Sequence, residues 1–190
     1  MKKILFIILI ITHILPAFAR QTMCLQKTGE YKIVKDSTFP FTVNNEKACF
    51  FAFYIKNPHP IVDVKGNGNS GDTIWYGYYK IKNPTKIQEF PKPLDTDWTH
   101  ICSISAISFY PLHSGNKKRD VTIIGSCDRQ NAIDYNFPLV FEWKKDRYVL
   151  DKDVYLNLHG MINLTIADIR EYIRSPNSTY KKLESRYNTY

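Results

Sequence analysis

From Tyr31 to Leu158 the chain is patterned mostly at strand length, in short apolar or alternating runs closed by proline, glycine, asparagine or aspartate. Ala48–Ile55 is an unbroken apolar and aromatic run, so a strand there is expected to bury both faces in the middle of a sheet. Asn57-Pro58-His59-Pro60 stops it, because proline has no N–H to give to a ladder. Gly66–Asp72 supplies residues that tolerate positive φ. It is expected to join Ile61–Val64 to Thr73–Lys82 as a hairpin or a longer loop.

Ile101–Tyr110 carries an informative irregularity. Cys102, Ile104 and Ala106 alternate with Ser103 and Ser105, and then the parity switches to Ile107 and Phe109 around Ser108. A one-residue switch of face is what a β-bulge produces. His113–Asn116 reads as a turn and Asp120–Cys127 as the returning strand. Pro138–Trp143 and Tyr148–Leu150 bracket Lys144-Lys145-Asp146-Arg147, a hairpin with a solvated tip.

The period changes only near the end. Ile166, Ile169 and Ile173 fall on one helical stripe, with Asp168, Arg170, Glu171 and Arg174 facing away. Thr165 is a suitable N-cap, Asp168 three residues on completes a capping-box pattern, and Ser175-Pro176 ends the helix. The residues from Asn177 to Tyr190 are polar and Tyr-rich and read as a tail or a short helix. Strands followed by a terminal helix predict a β-rich α+β fold. We expect a twisted antiparallel sheet or small sandwich over residues 20–176, with one C-terminal helix, about 165–174, packed on it.

The N-terminus has the three parts of a secretory signal. Lys2 and Lys3 form the positive region, Ile4–Leu15 the apolar stretch, and Pro16 with Ala17-Phe18-Ala19 the cleavage site, so residues 1–19 are expected to be removed. The apolar stretch is shorter than the ~20 residues of a bilayer span, and no later run is long enough, so no stable membrane anchor is expected after cleavage. The Lys-Lys start and Ile-rich core suggest a bacterial exporter, hence a periplasmic or secreted protein. In that oxidising compartment Cys24, Cys49, Cys102 and Cys127 are expected to form two disulfides. Four cysteines allow three connectivities, and sequential pairing would close two loops of equal length. No pair has zinc-ligand spacing.

Composition narrows the function classes. The 190 residues are 44% hydrophobic and 23% charged, which excludes a disordered chain. The formal charge of +8 falls by two with the signal's lysines, and the rest is spread over turns and a tail: Lys117, Lys118 and Arg119; Lys144, Lys145 and Arg147; Lys181, Lys182 and Arg186. Spread charge in an exported protein argues against a nucleic-acid site and allows steering toward an acidic protein or an anionic glycan. Thirteen tyrosines and three tryptophans are many for one small domain. In Thr73–Lys82, Tyr76 and Tyr78 share one face and Trp75 shares the other with Tyr79. With Lys80 and Lys82 nearby, some of these rings are expected to be exposed and available for binding.

Motifs for catalysis are missing: there is no G-x-S-x-G, H-E-x-x-H, P-loop or dinucleotide fingerprint, and no cofactor is expected. Asp95 and Asp97 with His100 form the nearest acid/base set, on a loop that follows Pro91 and Pro93. Asp63, Asn67, Asn69 and Asp72 space oxygen ligands as a hard cation would need, but a Gly/Asn turn explains them and no metal is expected. These readings point to an exported, non-enzymatic binding protein. Its most concrete form is an inhibitor or immunity-type protein acting on an envelope or cell-wall-directed enzyme, with Trp75, Tyr76, Tyr78, Lys117, Lys118 and Arg119 as the candidate surface. The alternatives are a glycan- or peptidoglycan-acting hydrolase and a structural or adhesive surface module.

Overall fold

The strand pattern resolves into two antiparallel four-stranded sheets with helices at the C-terminal end, the β-rich α+β fold expected. The computed structural model describes residues 24, 30–56, 61–62, 68–69, 72–95, 97–101, 103–112, 120–127 and 135–187. The expected signal, residues 1–19, lies outside them. Among the described residues no helix is long and apolar enough to cross a membrane. The chain divides into two units. One holds the described residues up to Phe53 and those from Tyr76 to Glu89; the other holds the rest.

In the first unit, β1 (Lys32–Val43) and β2 (Glu46–Ile55) meet at Asn44-Asn45, whose φ values of 48° and 62° are those of a type I′ hairpin turn. In the second unit, Ile61–Val62 (β3) and Gly68–Asn69 (β4) pair with each other, with Ile61 opposite Asn69. Of the hairpin or longer loop expected between Ile61–Val64 and Thr73–Lys82, the hairpin is therefore corrected. β5 (Thr73–Lys80) instead joins β2 and β6 (Asn83–Glu89) in a sheet of order β1-β2-β5-β6.

As its pattern predicts, β2 is buried on both faces from Ala48 to Phe53. Its rings meet those of β5: Phe50 stacks on Tyr76 at 5.9 Å and Phe51 lies 6.0 Å from Tyr79. Gly77 makes room for them, since a Cβ there would sit 3.1 Å from the Phe51 ring. Cys24 and Cys49 form a disulfide with Cα atoms 5.6 Å apart, and the Tyr79 hydroxyl donates to the Cys24 carbonyl at 3.0 Å. The Cys102–Cys127 pairing falls outside the described residues.

In the second unit, β7 (Ser103–Phe109), β8 (Val121–Cys127), β9 (Tyr135–Lys144) and β10 (Arg147–Leu150) form a meander of order β10-β9-β8-β7. Ser105 is the extra residue of a bulge, because Ile104 faces Gly125 while Ala106 faces Ile124; this is the parity switch read in the sequence. The β9–β10 turn is the expected one, with Lys145 and Asp146 at φ 44° and 66°. Pro138 is tolerated in β9 because it lies beyond Phe141, the last residue paired with β10.

Three helices follow: α1 (Lys152–Leu158), α2 (Ile166–Arg174) and α3 (Pro176–Tyr187). The strand reading through Leu158 is corrected at α1. Asp151 caps it, its carboxylate accepting from the Asp153 and Val154 amides at 3.1 Å each. α2 has the expected bounds and capping box, and its stripe packs with Ile124 and Val140 of the sheet, Val154 and Leu158 of α1 and Leu183 of α3. Asp168 does not face away; it is buried because its carboxylate accepts from the Thr165 amide and hydroxyl. Arg170 is half-buried, donating to Ser108 at 2.9 Å across the ring of Tyr110.

Candidate functional site

The exposed aromatic face expected on Thr73–Lys82 is corrected: Trp75, Tyr76, Tyr78 and Tyr79 are all buried. The lysines that suggested a wet face sit at the strand's end, where Lys80 pairs with Glu46. Lys117, Lys118 and Arg119 lie outside the described residues. Of the oxygen-bearing loop, Asp63 and Asn67 lie outside them too, Asn69 is described only by its backbone in β4, and Asp72 is exposed. Among the described residues no three potential ligands converge.

The structure places a groove of about 440 Å³ in the second unit instead. It is lined by the strap Pro91–Asp95, by all of β10, and by Lys152, Tyr155 and Leu156 of α1. Both ends of the strap are pinned. At one end the Phe90 carbonyl accepts from the Trp75 indole at 2.9 Å, and the Phe90 ring packs 4.7 Å from Phe141 and 4.8 Å from Tyr148. At the other end Asp95 accepts from the Tyr155 hydroxyl at 2.7 Å and from the Asp97 amide at 3.1 Å. Between the pins, Pro91 and Pro93 fix φ and stiffen the strap.

The lining is largely apolar and its charges are unequal. Leu94 is 92% exposed and Leu156 70% exposed, both unusual for leucine. Lys92, Arg147 and Lys152 stand against Asp95 alone. The Lys92 ammonium also lies over the rings of Trp75 and Trp98, at 5.8 and 5.4 Å.

Two of the three expected acid/base residues are described here in full. Asp95 lines the groove. Asp97 opens a 3₁₀ helix (Asp97–His100), with its carboxylate 3.7 Å from the His159 ring nitrogen, and it does not line the groove. The His100 side chain lies outside the described residues. His159 stacks on Tyr155 at 5.4 Å and packs 5.1 Å from Phe137. Burial first, and then the hydrogen bond and charge of Asp95, hold the Tyr155 hydroxyl proton well above the ordinary phenol range. That direction suits a donor locked onto a carboxylate and opposes a proton shuttle.

Sequence reasoning missed Leu94, Arg147, Tyr155 and Leu156 as site residues. The available signal was Pro91-Lys92-Pro93-Leu94, an exposed leucine in a proline-stiffened segment. No family model matches the chain, and no curated protein or solved structure is similar to it.

Proposed function

We propose that this is an exported, non-enzymatic binding protein, and most concretely an inhibitor-type protein that docks on an envelope or cell-wall-directed enzyme. The observation that carries the reading is the groove: exposed Leu94 and Leu156 rim an apolar cleft with excess positive charge. The nearby carboxylates serve the scaffold, Asp95 holding the strap and Asp97 facing His159. A surface locked in this way loses little entropy on docking. The disulfide also agrees with an oxidising compartment.

The test pairs capture with activity. The purified protein and its Leu94→Asp/Leu156→Asp variant are used to capture proteins from envelope extracts, and each hydrolase enriched by the wild type is assayed with and without it. The proposal expects an enzyme whose activity falls with the wild type and not with the variant. No hydrolase enriched over the variant, or an enriched one left fully active, overturns it.

The hydrolase reading retains one observation, the proximity of Asp95, Asp97 and His159 around Tyr155. Release of soluble fragments from peptidoglycan by the purified protein, lost in a folded Asp97→Asn variant, would replace the binding reading with this one.

A further inference from the structure

We infer that the groove receives one large apolar side chain from a surface loop of the partner protein, flanked in that loop by a carboxylate that Arg147 and Lys152 hold. This rests on the binding reading and names the chemistry of the partner's contact. At about 440 Å³ the groove falls among small-molecule sites, which span roughly 300–1,000 Å³. It therefore has room for an aromatic or leucine side chain with its neighbours, and not for a broad flat surface. Its apolar lining comes from three separate elements: Leu94 on the strap, Leu150 on β10 and Leu156 on α1. Leu150 is buried, while Leu94 and Leu156 stand exposed on the rim. An occupant lying among these three would cover apolar surface that the free protein leaves in water.

The polar part of the lining sets the occupant's charge. Arg147 opens β10 and Lys152 opens α1, and both are exposed. Among the described residues neither side chain enters an ion pair, whereas Lys144 pairs with Glu142 and Lys182 with Glu171. Arg147 also stands opposite Lys144 across the hairpin, a like charge that an incoming carboxylate would offset. The one carboxylate of the lining, Asp95, already accepts from the Tyr155 hydroxyl and the Asp97 amide. Lys92, held over Trp75 and Trp98, adds its charge to the same field. Charge complementarity thus selects glutamate or aspartate over lysine beside the apolar anchor, and the Arg147 fork suits a carboxylate with two parallel N–H donors.

The test is an NMR titration of the purified protein with three capped tripeptides, Glu-Phe-Glu, Lys-Phe-Lys and Glu-Ser-Glu, read at the methyl groups of Leu94, Leu150 and Leu156. Glu-Phe-Glu is expected to bind about tenfold more tightly than Lys-Phe-Lys at low salt, as a few exposed charge pairs allow, with the gap closing as salt is raised. It is also expected to bind about tenfold or more tightly than Glu-Ser-Glu, because only the phenylalanine buries a large apolar side chain. Arg147→Gln/Lys152→Gln should erase the first preference and keep the second. Equal binding of Glu-Phe-Glu and Lys-Phe-Lys, equal binding of Glu-Phe-Glu and Glu-Ser-Glu, or no binding by any of the three overturns the inference. So does a phosphatidylglycerol vesicle that shields the same methyls when no peptide binds, or a dimer of this chain that buries them by itself. The peptide comparison needs no variant, so a misfolded double variant leaves the result decisive. An envelope enzyme captured through Leu94 and Leu156 but indifferent to Arg147→Gln/Lys152→Gln would retain the binding reading and reject this one.

Discussion

The strap is the element on which the groove depends, and the Tyr155–Asp95 hydrogen bond pins its far end at 2.7 Å. Tyr155→Phe removes the donor and leaves the ring in place against His159. A hydrogen bond to a charged group contributes about 1.5–3 kcal/mol when shielded, and exposure of Asp95 brings this down to about 1 kcal/mol. Asp95→Ala should cost more than Tyr155→Phe, because the Asp97 amide loses its acceptor as well. The double variant should cost less than the sum of the two, with a coupling of about 1 kcal/mol in a double-mutant cycle. Urea unfolding followed by tryptophan fluorescence measures it, with an unchanged denaturant slope as the check that only stability has moved. A coupling below about 0.3 kcal/mol would refute the claim that these residues hold the strap to α1. Asp95 would then need another reason for its place in the groove, and the hydrolase reading would gain.

Other predictions follow from single contacts. A Cβ at Gly125 would lie 2.8 Å from the Ile101 side chain, whose backbone is held by Thr73, Ile74 and Trp98. Gly125→Ala should therefore destabilise by about 1–3 kcal/mol in urea, and pairing it with Ile101→Ala should recover part of that loss. Cys49→Ala opens the loop closed with Cys24, a separation of 25 residues, and should cost roughly 3.5 kcal/mol on the chain-entropy account, read as a lower urea midpoint. Burial raises the Tyr78 phenol to about 12, and burial with Asp153 raises Tyr172 to about 12, from an ordinary value of 10.0. Between these values the unfolded chain releases protons that the folded one keeps, so stability is whole below pH 10 and falls from there toward pH 12. Urea midpoints across that range should show the fall, and Tyr78→Phe should make it shallower.

Features set by local chemistry were legible before the fold was seen. The bulge at Ser105 follows from a change of parity, the β9–β10 hairpin from the charged run Lys144–Arg147 between two apolar ones, and α2 from a capping box before an isoleucine stripe. α1 was not legible because it is two turns long, follows β10 directly, and is fixed mainly by three buried residues and the Asp151 cap. The burial of Trp75, Tyr76 and Tyr78 was misread because strand-end lysines were taken to describe the whole strand. The groove joins Pro91–Asp95 to residues more than fifty positions away. No period or spacing in the sequence encodes that meeting; it depends on Phe90 finding Phe141 and Asp95 finding Tyr155.

The central claim is that the groove is a docking surface for another protein. A photoreactive residue placed at Leu94 in the native host tests it most directly, with the same residue at Tyr180 on α3 as the control, since both positions are exposed. The account predicts a discrete protein adduct from position 94, absent from position 180 and lost with Leu156→Asp. Equal labelling at both positions, or none at 94, would contradict it.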